Sequence, residues 1–211
     1  MRKCGAKRII CYTGGMLVLA AGLVLNTRTG LGASAVNSVP YCLSILTGIT
    51  MGTITSVMYL LFVAVQMLIV RRIRPQELMQ LPLSVAFGWV MDFFVWLFDF
   101  QVHSLLWSFV LLAAAISLIA LGVILTVSMA LAPNPADGFV DAVARALGVE
   151  FSRAKNIFDI SMAGLTCIIS LAATGGIVGV GAGTVLSALL IGPTAGLMKR
   201  RLFPLLGIQA Y

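Results

Sequence analysis

Three aspartates could do chemistry, because they lie inside or beside apolar stretches of a chain with few charges. Asp92 falls near the end of an apolar run, and Asp137 and Asp141 lie four residues apart in a short amphipathic run. An ionisable group within an apolar segment costs free energy and is therefore a candidate for function. The i, i+4 spacing puts Asp137 and Asp141 on one helix face, where they can bind a cation or a proton.

Each aspartate also has a structural interpretation. Asp92 can reach water at the end of its run, and Asp137 can cap a helix that starts near Pro135. Asp141 can pair with Arg145 one turn later, which would weaken the case for a cation site.

Arg28 and Asn37 are polar candidates in the first half of the chain. Arg28 is flanked by asparagine and threonine side chains, which together offer hydrogen-bond donors for an anionic group. A short helix that opens after Gly32 would add backbone N–H groups. An ion pair between Arg28 and Asp92 is the competing interpretation. The candidate substrate-binding residues are Arg28, Asn37, Asp92, Asp137 and Asp141.

The usual catalytic and metal-binding patterns are missing from the sequence. It contains no Ser/His/Asp set, HExxH, P-loop or GxGxxG pattern. His103 is the one histidine, and the four cysteines have no metal-ligand spacing. We therefore expect no enzyme activity, no metal site and no cofactor. Asp159 is expected to pair with Lys155, one turn earlier.

The composition indicates that the bilayer is the solvent for most of the chain. Of 211 residues, 60% are hydrophobic and 10% are charged, whereas about 25% are charged in a typical soluble domain. The net charge of +7 comes from short basic clusters between apolar runs, a pattern of loops that face an anionic leaflet rather than nucleic acid. The lipid bilayer is therefore the expected partner, and nucleic acid is not.

Six apolar segments are long enough to approach or reach the span of a bilayer. We predict spans at residues 9–25, 53–70, 78–98, 105–129, 157–174 and 183–198. With the N-terminus in the cytoplasm, every lysine and arginine except Arg28 lies on the inner side. This bias predicts a multi-pass protein with both termini in the cytoplasm.

Two stretches are neither clean spans nor hydrophilic loops. Residues 26–52 and 132–152 each begin with helix-breaking residues and continue into a short amphipathic run. These runs suit re-entrant helices that line protein or a water-filled cavity. Amphipathic helices lying on the membrane surface are the alternative.

An internal repeat relates the two halves of the chain. A shift of 100 residues places Asn37 on Asp137 and Gly48 on Gly148, and a shift of 104 places Gly88 on Gly192. Residues 1–98 and 104–201 then each hold three spans and one broken segment, and an odd number of spans inverts the second half. The predicted fold is an all-α membrane protein of six transmembrane helices in two inverted three-helix repeats, each with a re-entrant short helix.

Small residues at helical spacing form two ridges suited to close helix packing. The ridges comprise Ser84 and Gly88 on the third span, and Thr184, Ala188, Gly192 and Gly196 on the sixth.

Residues 130–138, ALAPNPADG, resemble the Gly-x-Gly-Pro-x-Pro-x-Asp-Gly stretch of the YczE/YyaS/YitT family of bacterial membrane proteins. Residues 175–179, GGIVG, and 190–193, LIGP, also resemble that family. The resemblance covers most of the chain and implies a bacterial inner-membrane protein, without implying a substrate.

These features favour a small-solute transporter or permease that rocks its two halves around a midplane site. A second hypothesis is a substrate-binding subunit that needs an energising partner, as in vitamin uptake of the energy-coupling-factor type. A third is a scaffold or regulator, in which the small-residue ridges would be interfaces in a homo-oligomer or with a partner.

Overall fold

The computed structural model describes residues 5–71, 75–129 and 131–206, and within these ranges the regular structure is entirely α-helical. Eight helices follow one another without a strand in the described ranges: α1 (Gly5–Thr27), α2 (Ala35–Thr47), α3 (Met51–Val70), α4 (Pro75–Leu97), α5 (Leu105–Met129), α6 (Pro135–Leu147), α7 (Phe151–Thr174) and α8 (Ala182–Leu206).

Six of these helices are long and apolar enough to cross a membrane, which confirms the predicted all-α membrane fold. They are α1, α3, α4, α5, α7 and α8. The predicted fifth span begins at residue 157, but α7 starts six residues earlier, at Phe151. The predicted span began after the charge of Lys155, whereas the helix includes this residue because it forms an ion pair with Asp159 within the helix.

The two short helices occupy equivalent places in the two halves. Each is 13 residues long, about half the length needed to span a bilayer. Each ends at a glycine in the left-handed region, Gly48 at φ 71° and Gly148 at φ 65°. A glycine there satisfies the last helical carbonyls and turns the chain into the following span. The shift of 100 residues read from the sequence therefore marks a repeated helix end.

The first helices of the two halves pack antiparallel at the centre of the bundle. A Cβ on Gly15 would lie 2.8 Å from Leu125, whereas a Cβ on Gly22, two turns further on, would lie 2.7 Å from Ile119, earlier in α5. At the start of α1, the Arg8 guanidinium donates to the carbonyl of Met129 at the end of α5. Equivalent helices running in opposite directions place the two halves upside down relative to each other.

Each short helix packs on the other half as well as on its own. Helix α2 packs on α7, and its counterpart α6 packs on α3. Three aromatic rings join this second contact, with centroids 5.2 Å apart for Phe62 and Phe139 and 5.4 Å apart for Phe62 and Phe158. These reciprocal contacts of the short helices hold the two halves together.

One pair of equivalent helices breaks the symmetry. Helix α3 packs along α4, whereas α7 is not packed along α8.

We call the end of the bundle that carries most of the basic residues the basic side. Its residues include Lys7, Arg8, Arg71, Arg145, Arg153, Lys199, Arg200 and Arg201.

Candidate functional site

A cavity of about 610 Å³ lies in the bundle where α7 and α8 stand apart. Helices α1, α2, α5, α6, α7 and α8 all line it, so both halves contribute. Its volume falls within the range of small-molecule sites, about 300–1,000 Å³. Much of the wall is apolar and comes from Leu19, Leu23, Ile119, Val123 and Ile191.

The α7 wall of the cavity corresponds to a closed helix contact in the first half. Ser152, Asn156 and Asp159 line the cavity from α7. A shift of 100 residues relates them to positions on the face by which α3 meets α4. On that face the Ser56 hydroxyl donates to the Ser84 carbonyl at 3.2 Å.

The α8 wall shows the same relation. Ala188 and Gly192 line the cavity, and the shift of 104 residues relates them to Ser84 and Gly88. A Cβ on Gly88 would lie 2.4 Å from the Gly52 carbonyl oxygen on α3. The cavity is therefore the open form of an interface that the first half holds shut.

Two carboxylates and one ammonium meet at the cavity wall. Lys155 Nζ lies 3.2 Å from Asp137 Oδ1 and 3.2 Å from Asp159 Oδ1. The pairing of Lys155 with Asp159 expected from their spacing is confirmed, and Asp137 of α6 joins it. Asp137 is 30% exposed and Asp159 is 19% exposed, so both carboxylates remain open to the cavity.

Asp141 also lines the cavity, but it has its own counter-ion. Arg145 lies 2.8 Å away, one turn later on α6. The alternative of a pair along one helix face is confirmed. Asp141 therefore adds no uncompensated charge to the site.

The starts of the two short helices reach the cavity from opposite halves. Asn37 in the first turn of α2 is 1% exposed, lines the cavity and has no hydrogen-bond partner for either amide atom. On α6 the helix cap is Asn134, whose side-chain oxygen accepts from Ala136 N at 3.0 Å. Asp137 does not take the capping role that Pro135 suggested, because Asn134 occupies the cap position and Asp137 turns to Lys155.

Backbone contacts close the cavity on the side opposite the basic side. Ala33 N donates to the Gly179 carbonyl at 2.9 Å, and Gly183 N donates to the Leu31 carbonyl at 2.7 Å. Gly32 has φ +101°, and a Cβ on it would lie 2.5 Å from Gly181 N. Residues 31–33 and 179–183, which we call the closing layer, thus approach each other more closely than side chains would permit.

A second, smaller pocket of about 280 Å³ lies at the other face of the closing layer, lined by Leu31, Gly32 and Gly181 among others. On the opposite face of the layer, Ser34 is the next residue of this segment to line the large cavity. Beside the layer, Asn26 of α1 donates to the Ser187 hydroxyl of α8 at 2.8 Å, and both residues are fully buried. Only a thin layer of chain separates the two spaces.

The large cavity opens toward the basic side. Phe151 and Ser152 line it and are exposed at the start of α7. Val127, near the end of α5, lines it and is 60% exposed. The site is thus open at the basic side and along the gap between α7 and α8, and it is closed at the closing layer.

Arg28 and Asp92 lie away from the cavity. Arg28 donates to the Val95 carbonyl at 2.8 Å. Asp92 accepts from the Thr50 hydroxyl and from Gly52 N, both at 2.7 Å, and so fixes the first turn of α3. The structure therefore brings Asn37, Asp137 and Asp141 together and gives Arg28 and Asp92 separate partners.

The predicted small-residue ridges have different surroundings in the two halves. Ser84 is fully buried against α3, and Gly88 touches Ser56 and Gly52. On α8, Thr184 is buried at the closing layer, where its hydroxyl accepts from Gly181 N at 3.1 Å. Further along, a Cβ on either Gly192 or Gly196 would meet nothing within 4 Å.

The sequence reading did not place Lys155, Asp159 or Asn156 in the site. A signal was present, because polar residues recur at 152, 156 and 159, the spacing of one helix face. Lys155 and Asn156 stood before the predicted span of residues 157–174, and Asp159 was assigned only an ion pair with Lys155. The sequence predicted Asp137 as the cap of α6, whereas Asn134 takes that position.

Within the described ranges, no group of three or more histidine, cysteine, aspartate or glutamate side chains is placed to hold a metal ion. The arrangement can hold a small solute between an apolar wall, a charged cluster and the buried amide of Asn37.

The model of a family of unknown function, DUF6198, matches residues 6–200. No curated protein and no solved structure matches the chain.

Proposed function

The chain belongs to the DUF6198 family of unknown function. We propose that it carries a small solute across a bacterial inner membrane by alternating access. One observation carries the proposal: a cavity of about 610 Å³ between two inverted halves opens on one side and is closed on the other by a thin layer of backbone. Inverted repeats with broken helices at a central site are typical of secondary transporters. The role is binding and movement of a solute, not catalysis.

The asymmetry between the halves supplies the second conformation. Helix α3 lies against α4, while α7 and α8 stand apart. Exchanging these two arrangements would close the cavity on the basic side and open it at the closing layer. The exposed small residues Ala188 and Gly192 leave room for α7 to approach α8.

The orientation we propose follows the charge distribution. The basic side faces the cytoplasm, as the distribution of lysine and arginine favours. The cavity then faces inward in this conformation, with both chain termini in the cytoplasm. We also propose a distant relationship with the YczE/YyaS/YitT proteins, supported by the spacing of Pro133, Pro135 and Asp137 at the start of α6.

A substrate-capturing subunit of the energy-coupling-factor type fits less well. Such a subunit would take up its solute from outside the cell, whereas this cavity opens on the basic side. The scaffold hypothesis does not account for a cavity whose wall carries a buried amide without a hydrogen-bond partner, that of Asn37.

The test is solvent accessibility of the cavity from each side of the membrane. Ala188→Cys, in a background with the native cysteines replaced, places a thiol on the exposed cavity wall of α8. Val178→Cys, in the pocket on the other face of the closing layer, is the matched control. Both are labelled with a membrane-impermeant maleimide in intact cells and in inside-out vesicles.

Alternating access predicts that Ala188→Cys reacts rapidly in inside-out vesicles and slowly, but completely, in intact cells. Val178→Cys should react rapidly in intact cells. If Ala188→Cys reacts only in inside-out vesicles, even after prolonged exposure in cells, the cavity does not alternate and the transport proposal fails.

A further inference from the structure

We infer that the solute is a small organic cation, an ammonium group on a compact apolar body, bound through Asp137 and Asp159. This inference rests on the proposed function, since it names the class of solute for the same cavity.

The charge of the cavity wall carries the inference. Within the described ranges, the charged residues that line the cavity are Asp137, Asp141, Lys155 and Asp159. Arg145 compensates Asp141 at 2.8 Å. Lys155 lies 3.2 Å from each of the other two carboxylates and can neutralise one of them. One negative charge is left over.

An uncompensated carboxylate inside a membrane-spanning bundle raises the free energy of the folded protein, and a bound cation offsets that cost. The two carboxylates are both partly exposed to the cavity, so an ammonium group can reach them beside Lys155. Charge-assisted hydrogen bonds of this kind are stronger than neutral ones.

Asn37 is an independent sign of a ligand. Both its amide atoms are buried without a partner, although a buried polar atom normally has one. The side chain lines the cavity from the α2 start, at the position that the repeat relates to Asp137. Its oxygen can accept a hydrogen bond from the ammonium group of the solute.

The remaining wall selects the body of the solute. Leu19, Leu23, Ile119 and Ile191 surround the polar cluster with aliphatic surface. Burying apolar area against such a wall is favourable by about 25 cal/mol per Å². The site therefore suits a branched or cyclic hydrocarbon that carries one ammonium group.

A matched set of four probes separates the charge types. Isoamylamine, isoamyl alcohol, isocaproate and leucine share a branched aliphatic body and present a cation, a neutral group, an anion and a zwitterion. Binding to the purified full-length protein at neutral pH is measured by isothermal titration calorimetry. We expect isoamylamine to bind most tightly and isocaproate not at all.

The variant Asp159→Asn removes the extra charge at nearly constant volume and leaves the Asp137–Lys155 pair. It should weaken isoamylamine binding about ten- to a hundredfold. Glu150→Gln, an exposed acid on the basic side that does not line the cavity, is the control and should leave the affinity unchanged. The melting temperature of each variant without probe shows whether it is folded, and Asp137→Asn repeats the test if Asp159→Asn is not.

Three outcomes overturn the cation assignment: any of the other three probes binds more tightly than the amine, no probe binds, or Asp159→Asn and Asp137→Asn both bind isoamylamine as the parent does. Failure here is distinguishable from failure of the transport proposal, because labelling of Ala188→Cys from both sides needs no ligand.

Discussion

Replacing Gly122 by alanine tests the central α1–α5 contact on which the inverted arrangement depends. A Cβ at this position would lie 2.6 Å from both the Cα and the backbone N of Leu19. Backbone atoms cannot rotate away, so α1 and α5 must separate by about 1 Å to restore ordinary carbon–carbon contact. We expect the variant to be less stable than the parent protein.

The magnitude follows from two opposing effects. Overpacking costs about 1–3 kcal/mol, while alanine is favoured over glycine in a helix by about 1 kcal/mol. Gly164→Ala on α7 is the matched control, because its Cβ would meet nothing within 4 Å and only the second effect remains. The two variants should therefore differ by about 1–3 kcal/mol, which is a difference of about 2–12 °C in melting temperature.

Both variants are heated at one rate in the same detergent, and loss of the monodisperse protein is followed by size-exclusion chromatography. Gly164→Ala should melt at or slightly above the parent temperature. If Gly122→Ala melts as high as Gly164→Ala, the two helices are not in backbone contact and the reasoning about the bundle centre is refuted.

Three further substitutions test other contacts. Gly32→Ala forces a side chain into the left-handed region and against Gly181 in the closing layer, so Ala188→Cys should be labelled several-fold faster in intact cells; an unchanged rate would contradict the role of the layer. Asp92→Ala removes both bonds to the start of α3 and should cost about 1–3 kcal/mol, whereas Asp99→Ala, on an exposed loop, should shift the melting temperature little. Asn134→Ala removes the α6 cap and should cost about 1 kcal/mol, or about 2–4 °C in melting temperature; equal melting temperatures would exclude a capping role.

Helix number and type were predictable because hydropathy and breaker residues act locally. The ends of α2 and α6 could be placed within two residues, since Gly48 and Gly148 each stop a helix by their own backbone conformation. The start of α7 was misplaced because its charges are neutralised by partners, and one of those partners, Asp137, lies on another helix.

The site was only partly predictable for the same reason. Asn37 and Asp137 were found by the repeat, which is a property of the sequence. Lys155 and Asp159 enter the site only through the packing of α7 on α6, and the gap between α7 and α8 has no local signal at all. Equivalent sequences on α4 and α8 form a tight contact in one half and a cavity wall in the other, so composition alone cannot tell these states apart.

The closing layer has a mechanical consequence. Its two direct hydrogen bonds, Ala33 N to Gly179 O and Gly183 N to Leu31 O, join main-chain atoms, so they do not depend on the ionisation of any side chain at the contact. A solute in the cavity therefore cannot loosen it by local chemistry. It can open the layer only by displacing α1 and α8, the helices next to the two segments. The layer therefore responds to the tilt of whole helices and not to a contact between the solute and one side chain.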